Sequence, residues 1–470
     1  MLNLSQVFRF IALFAILLTG PLASASGVEW SGNYRFEFVN IGNSELDSEK
    51  SSKEYMLHHL VLRPRIVASD GLNIYSRFNI FNSSVTDQVG QTLGGDTMGE
   101  TTFEDSAVTT DRQNPETILV NELYLTLNNE FGQLIVGRVP IHFGLGIAYN
   151  KGDGAFDHYF DNRDMVAYKM VFGNIRVTPS LAKTVEGRLN SGAEDASEYN
   201  LQVDYTNPGN QLAMGLFYQM RRVNKAAINT NINNLIGGAS STISEDASFN
   251  QLGVYVDRDR ENYRIGFEAQ FRDGKSGIKT ALGDSVEYKG TGLALEFEHR
   301  PQGKSFVWGI KAGQATGDDS GSDKSYDGFI FDRNYDIAMM LFNHQLGNAD
   351  FLQTGFIGGG GQGGANGNTG YDVEAISNAT YIAPYFNYQW KPKWLVTAKF
   401  VTGTLNQEFN DGDTDLGFEV DLGLNYKSDD NFVWVNEVGF FTPGKAFEGG
   451  SSNFDTDSAL GFVSKIAITF

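Results

Sequence analysis

The sequence predicts an all-β fold: a closed transmembrane antiparallel β-barrel of about 18 strands, with about 16 the next candidate count. Three observations lead there. Apolar and polar residues alternate with period 2 from Val28 to Phe470, as successive strand side chains point to opposite faces. Connections are short after every even-numbered strand and long after every odd-numbered one, which reads as short periplasmic turns and long extracellular loops. Finally, Ser458 to Phe470 sets Leu460, Phe462, Ile466, Ile468 and Phe470 on one parity, with Ser464 the exception, against Gly461, Val463, Lys465, Ala467 and Thr469. A closing strand with one lipid-facing side has this pattern, because backbone groups in a bilayer must all be paired by the barrel itself.

Residues 1–25 read as a secretory signal: Arg9 is the charged start, Phe10 to Leu18 the apolar run and Ala23-Ser24-Ala25 the cleavage site. Residues 26–470 then form one barrel, since no linker or change of composition divides them. No later segment has the roughly 18 uncharged apolar residues of a transmembrane helix, and the mean hydropathy of -0.27 suits a barrel that is apolar on one face only. The chain has no cysteine, which excludes disulfides and thiolate metal sites. Its net charge of -21 argues against a nucleic-acid partner. No cofactor is expected.

Taken in order, the first strand, Val28 to Asn40, points Val28, Trp30, Tyr34, Phe36 and Phe38 outward and Glu29, Asn33, Arg35 and Glu37 inward. The second, Glu54 to Ser69, has Leu60, Leu62 and Ile66 outside and His59, Arg63 and Arg65 inside; Asp70-Gly71 turns it into the third, Leu72 to Asn82, with Tyr75, Arg77 and Asn79 inside. After a polar stretch, Ser83 to Pro115, come Glu116 to Asn129 and Gly132 to Val139, then the connection Pro140 to Asp164. Hairpins follow over Met165 to Val185, Ser197 to Val223, Ser248 to Arg272 and Glu287 to Ala315, with turns at Gly173-Asn174, Asn207 to Asn210, Asp257 to Asn262 and Pro301 to Lys304. The longest connection, Thr316 to Ile376, precedes Ser377 to Leu405, then Thr414 to Thr442, then the closing strand. Tyr205, Tyr426, Trp390 and Trp394 near strand ends read as interface aromatics.

A barrel of this size encloses water, so lumen side chains are the candidate functional residues. By parity they are Arg35, Glu37, Arg63, Arg65, Arg77, Arg264, Glu268, Arg272, Lys399, Glu419 and Asp421, with Glu296 and Glu298 beside them. The early arginines Arg63, Arg65 and Arg77 are the expected functional patch, since fixed charges on a pore wall hold and select ions. The most distinctive connection ends a strand at Gly137-Arg138 and continues through Phe143, Gly144, Leu145 and Gly146 to Asp153, Asp157, Asp161 and Asp164. An apolar run on the long-loop side is badly placed in water, so this segment is expected to fold inward as a constriction that includes Arg138, Phe143, Gly144, Gly146, Asp153 and Asp157, or to pack under the loops. Asp411, Asp413 and Asp415 are a weak calcium candidate, because the rest of a calcium loop is missing. Phe356 to Gly370 is glycine-dense and reads as a loop tip or lid, not a phosphate loop. His58 and His59 lie on opposite strand faces and cannot share a site.

These residues carry a family resemblance. The strand ending in Gly137-Arg138, the Gly144-Leu145-Gly146 loop, Phe331-Asp332 with Tyr335, and Asn378-Ala379 with Tyr381 resemble the alginate-export-like group of outer-membrane proteins and related delta-proteobacterial barrels. The resemblance implies a passive conduit of about 18 strands for a hydrophilic or anionic solute in the outer membrane of a Gram-negative cell. The expected function is therefore porin-like diffusion of small hydrophilic solutes with no chemistry performed. The alternatives are a (poly)saccharide or anionic-solute channel, a surface adhesin or structural barrel, and an outer-membrane hydrolase. Expected partners are outer-membrane lipids, the barrel-assembly machinery and the solutes, with both termini in the periplasm.

Overall fold

In a computed structural model of the chain, described over residues 27–47, 52–80, 91–92, 118–185, 196–224, 243–279, 284–318, 324–347, 375–408, 413–448 and 456–470, 18 antiparallel strands close into a barrel. The first nine are β1 Gly27–Gly42, β2 Ser52–Ser69, β3 Leu72–Ile80, β4 Ile118–Asn129, β5 Gly132–Pro140, β6 Asn162–Phe172, β7 Ile175–Val185, β8 Ala196–Asn207 and β9 Leu212–Val223. The others are β10 Ala247–Asp259, β11 Tyr263–Lys279, β12 Ser285–His299, β13 Phe306–Ala315, β14 Ala379–Lys391, β15 Trp394–Leu405, β16 Asp415–Lys427, β17 Phe432–Pro443 and β18 Ala459–Thr469. The expected signal segment, the stretch Ser83 to Pro115 apart from Gln91 and Thr92, Phe356 to Gly370 and Asp411 lie outside the described residues.

Each strand pairs with its sequence neighbours, and β1 closes on β18 from Asn33 opposite Thr469 to Gly42 opposite Leu460. At the seam Gly32 and Phe470 exchange backbone hydrogen bonds of 2.8 and 3.0 Å. Closure leaves no unpaired sheet edge. The connection expected at Asp273 to Val286 is shorter than expected, because β11 runs on to Lys279 and its end pairs with Ser285.

Parity sorts the two faces as the alternation requires. On β1, Tyr34, Phe36 and Phe38 look out while Asn33, Arg35 and Glu37 are buried inside. On β18, Leu460, Phe462, Ile466, Ile468 and the terminal Phe470 look out. Large exposed rings gather at the short-turn end: Trp30, Phe131, Phe172, Trp390 and Phe470, with the Trp394 and Tyr426 rings 5.0 Å apart beside them.

The lumen departs from the expected wet, polar channel. In its long-loop half the inward wall is apolar, with Val39, Ile41, Val401, Leu405, Leu416, Phe441 and Val463 buried. They form one cluster with Phe329, Phe331, Met339, Met340, Leu341 and Phe342 of the β13–β14 connection. The barrel has an internal core because that connection folds into it.

Candidate functional site

Among the described residues, two connections enter the barrel, and both dock by presenting backbone N–H groups to a wall carboxylate. In the β5–β6 loop, Gly144 and Gly146 adopt φ of 58° and 86°, a left-handed conformation that glycine enters without strain. Alternation of hand turns successive N–H groups the same way and makes an anion-binding nest. Leu145, Gly146 and Ile147 donate to Glu268 Oε2 at 2.6, 3.0 and 3.4 Å. The β13–β14 loop does the same with β16: Met339 and Met340 donate to Glu419 Oε1 at 3.0 and 2.8 Å, Leu341 to Glu419 Oε2 at 2.7 Å, and Met339 also to Asp421 Oδ2 at 3.0 Å.

Wall glycines make the seats. A Cβ on Gly439 would lie 2.7 Å from Met339 Cε, and one on Gly461 would lie 2.9 Å from Met340 Sδ. On the other side Phe143 packs on Phe217 and Tyr255, with ring centroids 5.6 and 5.1 Å away, and Tyr149 hydroxyl donates to Gln219 Oε1 at 2.8 Å.

The early arginines clamp the first loop from the opposite wall. Arg63 pairs with Asp153 at 3.0 Å. Arg77 donates to the Lys151 carbonyl at 3.2 Å, with its guanidinium 4.2 Å from the Phe160 ring centre. Arg35 donates to the Asp157 carbonyl and, at 3.0 Å, to His158 Nδ1. Arginine only donates, so Nδ1 accepts and His158 carries its proton on Nε2, 3.3 Å from Glu37 Oε1. His158 is thus neutral; burial, then the Arg35 cation, lower its pKa. The loop crosses the lumen from β1–β3 to β9–β11.

The two loops also hold each other. Asp332 N donates to the Ile147 carbonyl at 2.8 Å. Asn334 Oδ1 accepts from His158 N and Tyr159 N, both at 3.2 Å, and its Nδ2 donates to the Tyr159 carbonyl at 2.8 Å. The carboxyls of Asp161 and Asp332 act on each other electrostatically at this joint. Burial raises both pKa values, Asp332 well above the carboxylate range with the Asp161 charge adding to it.

Between the joined loops and the wall of β1, β2, β17 and β18 lies a cavity of about 160 Å³. Acidic Glu37, Asp157, Asp336 and Glu437 line it against cationic Arg333 and Lys465. Val39, Leu57, Phe156, Tyr159, Met339 and Val463 supply its apolar surface, and His158 and His344 are also at its edge.

The residues expected to line an open pore therefore divide. Arg35, Glu37, Arg77, Glu268, Glu419 and Asp421 do face inward but are buried under the loops. Arg272 is likewise covered, donating to Gln251 and Tyr288 at 2.9 Å each beneath Phe329. Arg65 stays open at the short-turn end, paired with Glu29 at 3.0 Å. Arg264 lies between Asp257 and Glu296 at 2.6 and 3.0 Å, and Lys399 between Asp421 and Glu437 at 3.3 and 3.0 Å. Arg138 is a correction: it is not in the constriction, because even parity on β5 turns it to the outer face, where Nε and Nη2 meet both oxygens of Asp164 at 2.8 Å. Asp413 and Asp415 accept local backbone N–H groups at 3.0 and 2.9 Å, and no metal-ligand cluster exists among the described residues. His59 is buried inward and His58 is half-buried on the other face.

Sequence reasoning missed Asn334, Glu437, Lys465 and the Met339–Leu341 tip. The apolar run Ile337 to Phe342 inside a long connection was the available signal, the same one that marked Phe143 to Leu145. Two of the four resemblance motifs meet at the root of the second loop: the Phe331 ring lies 5.5 Å from the Tyr335 ring and 6.4 Å from the Tyr381 ring, and the two tyrosine hydroxyls are 3.4 Å apart.

No protein-family model matches the chain and no curated protein sequence is significantly similar. Among solved structures, OccK9 (OpdG) of Pseudomonas aeruginosa is similar with a TM-score of 0.53 at 11% identity, covering 95% of this chain and 99% of that one. OpdK of the same organism, solved with vanillate, has a TM-score of 0.51 at 10% identity over 94% and 99%. OpdQ, also from that organism, has 0.50 at 10% identity over 94% and 98%. The structural neighbours are outer-membrane porins of Gram-negative bacteria, and at these identities the likeness is one of fold.

Proposed function

We propose that the chain is an outer-membrane channel for passive diffusion of small hydrophilic solutes, with a preference for cations and no chemistry performed. The observation that carries this reading is the lumen cavity, bounded by two docked loops and lined by Glu37, Asp157, Asp336 and Glu437 against Arg333 and Lys465. A constriction of that size passes only small solutes, and its excess of carboxylates favours positive ones. The outward apolar face, the aromatic band at the short-turn end and the closed ladder support residence in the outer membrane. In that orientation the termini and short turns face the periplasm and the long loops the outside.

Single-channel recording in a planar bilayer tests the reading. Steady small conductance with a reversal potential on the cation side is expected; electrical silence would sink the channel. Vanillate, the molecule in the OpdK structure, is the natural competitor: as an anion it should permeate more slowly than a cation of similar size. Faster passage of vanillate would favour the anionic-solute channel implied by the alginate-export-like resemblance.

A further inference from the structure

We propose that the outer face of β5 to β12, at its long-loop end, is a binding surface for the phosphorylated glycolipid of the outer leaflet. The proposal rests on the outer-membrane reading above and adds a partner to it. Strand register places Arg138 opposite Asp164 and Asp164 opposite Lys183. The same cross-strand row continues through Ser197 to Arg222, then through Ser248 to Lys275, which faces Glu287. Arg138, Lys183, Arg222 and Lys275 are all exposed on the outer face.

Four cations thus recur on every second strand, and with neighbouring strands about 4.8 Å apart they stand roughly 10 Å from one another. Only Asp164 and Glu287 oppose them in the row, so it is positive on a chain whose net charge is -21. Among the described residues, the outward faces of β13 to β18 and β1 to β4 carry no Lys or Arg near their long-loop ends. One step toward the middle of the sheet, over β5 to β9, the row gives way to Val136, Val166, Leu181, Tyr199 and Met220, and one step further Leu201 faces Tyr218. That passage from charge to aliphatic and aromatic side chains matches the passage from headgroup to interface and acyl chain. A row of bases at headgroup level matches an anionic lipid with phosphates spread over a sugar backbone. Zwitterionic lipids supply no net charge to meet it.

The test is binding of lipid A, against its dephosphorylated form, to the full barrel held in phosphatidylcholine nanodiscs. Binding is expected to weaken about fivefold for each cation removed, so R138Q/K183Q/R222Q/K275Q should lose preference for the phosphorylated form while K183R/K275R keeps it. Heat-modifiable gel mobility and single-channel conductance of the quadruple variant, both expected unchanged, show that it is folded. Equal binding of phosphorylated and dephosphorylated lipid by the parent, or undiminished binding by a folded quadruple variant, overturns the proposal and leaves the channel reading intact. A parent that binds lipid but never conducts removes the channel reading and keeps this one.

Discussion

At the residue scale, Glu268 and Glu419 are sockets more than pore charges. Each is fully buried and accepts backbone N–H groups from a loop tip. Removing such an acceptor strands buried donors at about 1–3 kcal/mol each. Glu268→Ala and Glu419→Ala are therefore expected to free their loops and raise single-channel conductance, with rapid flicker; Glu268→Gln, which keeps one acceptor oxygen, should do so less. Unchanged current in both alanine variants would mean that the loops are held elsewhere. Gly461→Val probes the seat instead of the socket. Its side chain would collide with Met339 and Met340, and overpacking of this kind costs about 1–3 kcal/mol, read as a lower unfolding midpoint. Residue identity was legible in sequence only as far as parity reaches. Parity put Glu268 and Glu419 inside, but whether an inward carboxylate meets water or a loop depends on where a distant connection folds. Arg138 was misplaced because it was read with the loop that follows it, not with the strand it ends.

At the element scale the two loops form one joined unit, since Asn334 and the Asp332–Ile147 backbone bond link them and the Asp161 and Asp332 carboxyls act on each other there. Both carboxyl pKa values are raised by burial, so the docked state binds more protons than the released state. Docking is then strongest at pH values below the ordinary carboxylate range and weakens as pH rises through the raised values. The groups around the pair are Asp157, which adds negative charge, and Arg163 and Arg221, which oppose it. Open probability in planar bilayers is expected to increase as pH rises above the ordinary carboxylate range, and Asp332→Asn, which removes the second charge, should flatten that dependence. A parent channel whose open probability does not change with pH would remove this carboxyl pair from the account. Inward folding of the first loop was readable from an apolar run with no place in water. The second carried the same signal at Ile337 to Phe342, diluted by a long polar and glycine-rich connection, and the joint between the loops has no local signature at all.

At the scale of the whole molecule the strands were almost fully legible, because a ladder with an apolar outward face constrains every second residue. Lumen content was not, since a barrel's interior is set by contacts between segments far apart in sequence, such as Met339 with Gly461. Selectivity belongs to this scale too. Charge reversal of the acidic lining through Glu437→Lys should move the reversal potential toward anions, whereas Glu437→Gln should move it part of the way; no shift in either would place the selective constriction outside this cavity. The socket arrangement also orders events in time. Each loop tip is synthesised before the carboxylate that receives it: Leu145 to Ile147 precede Glu268, and Met339 to Leu341 precede Glu419. The second loop has no seat until β16 is in the sheet. Each seat lies far along the chain from the loop it receives, so the interior packs only when distant strands have come together, and a chain cut before β16 would keep its second loop without a seat.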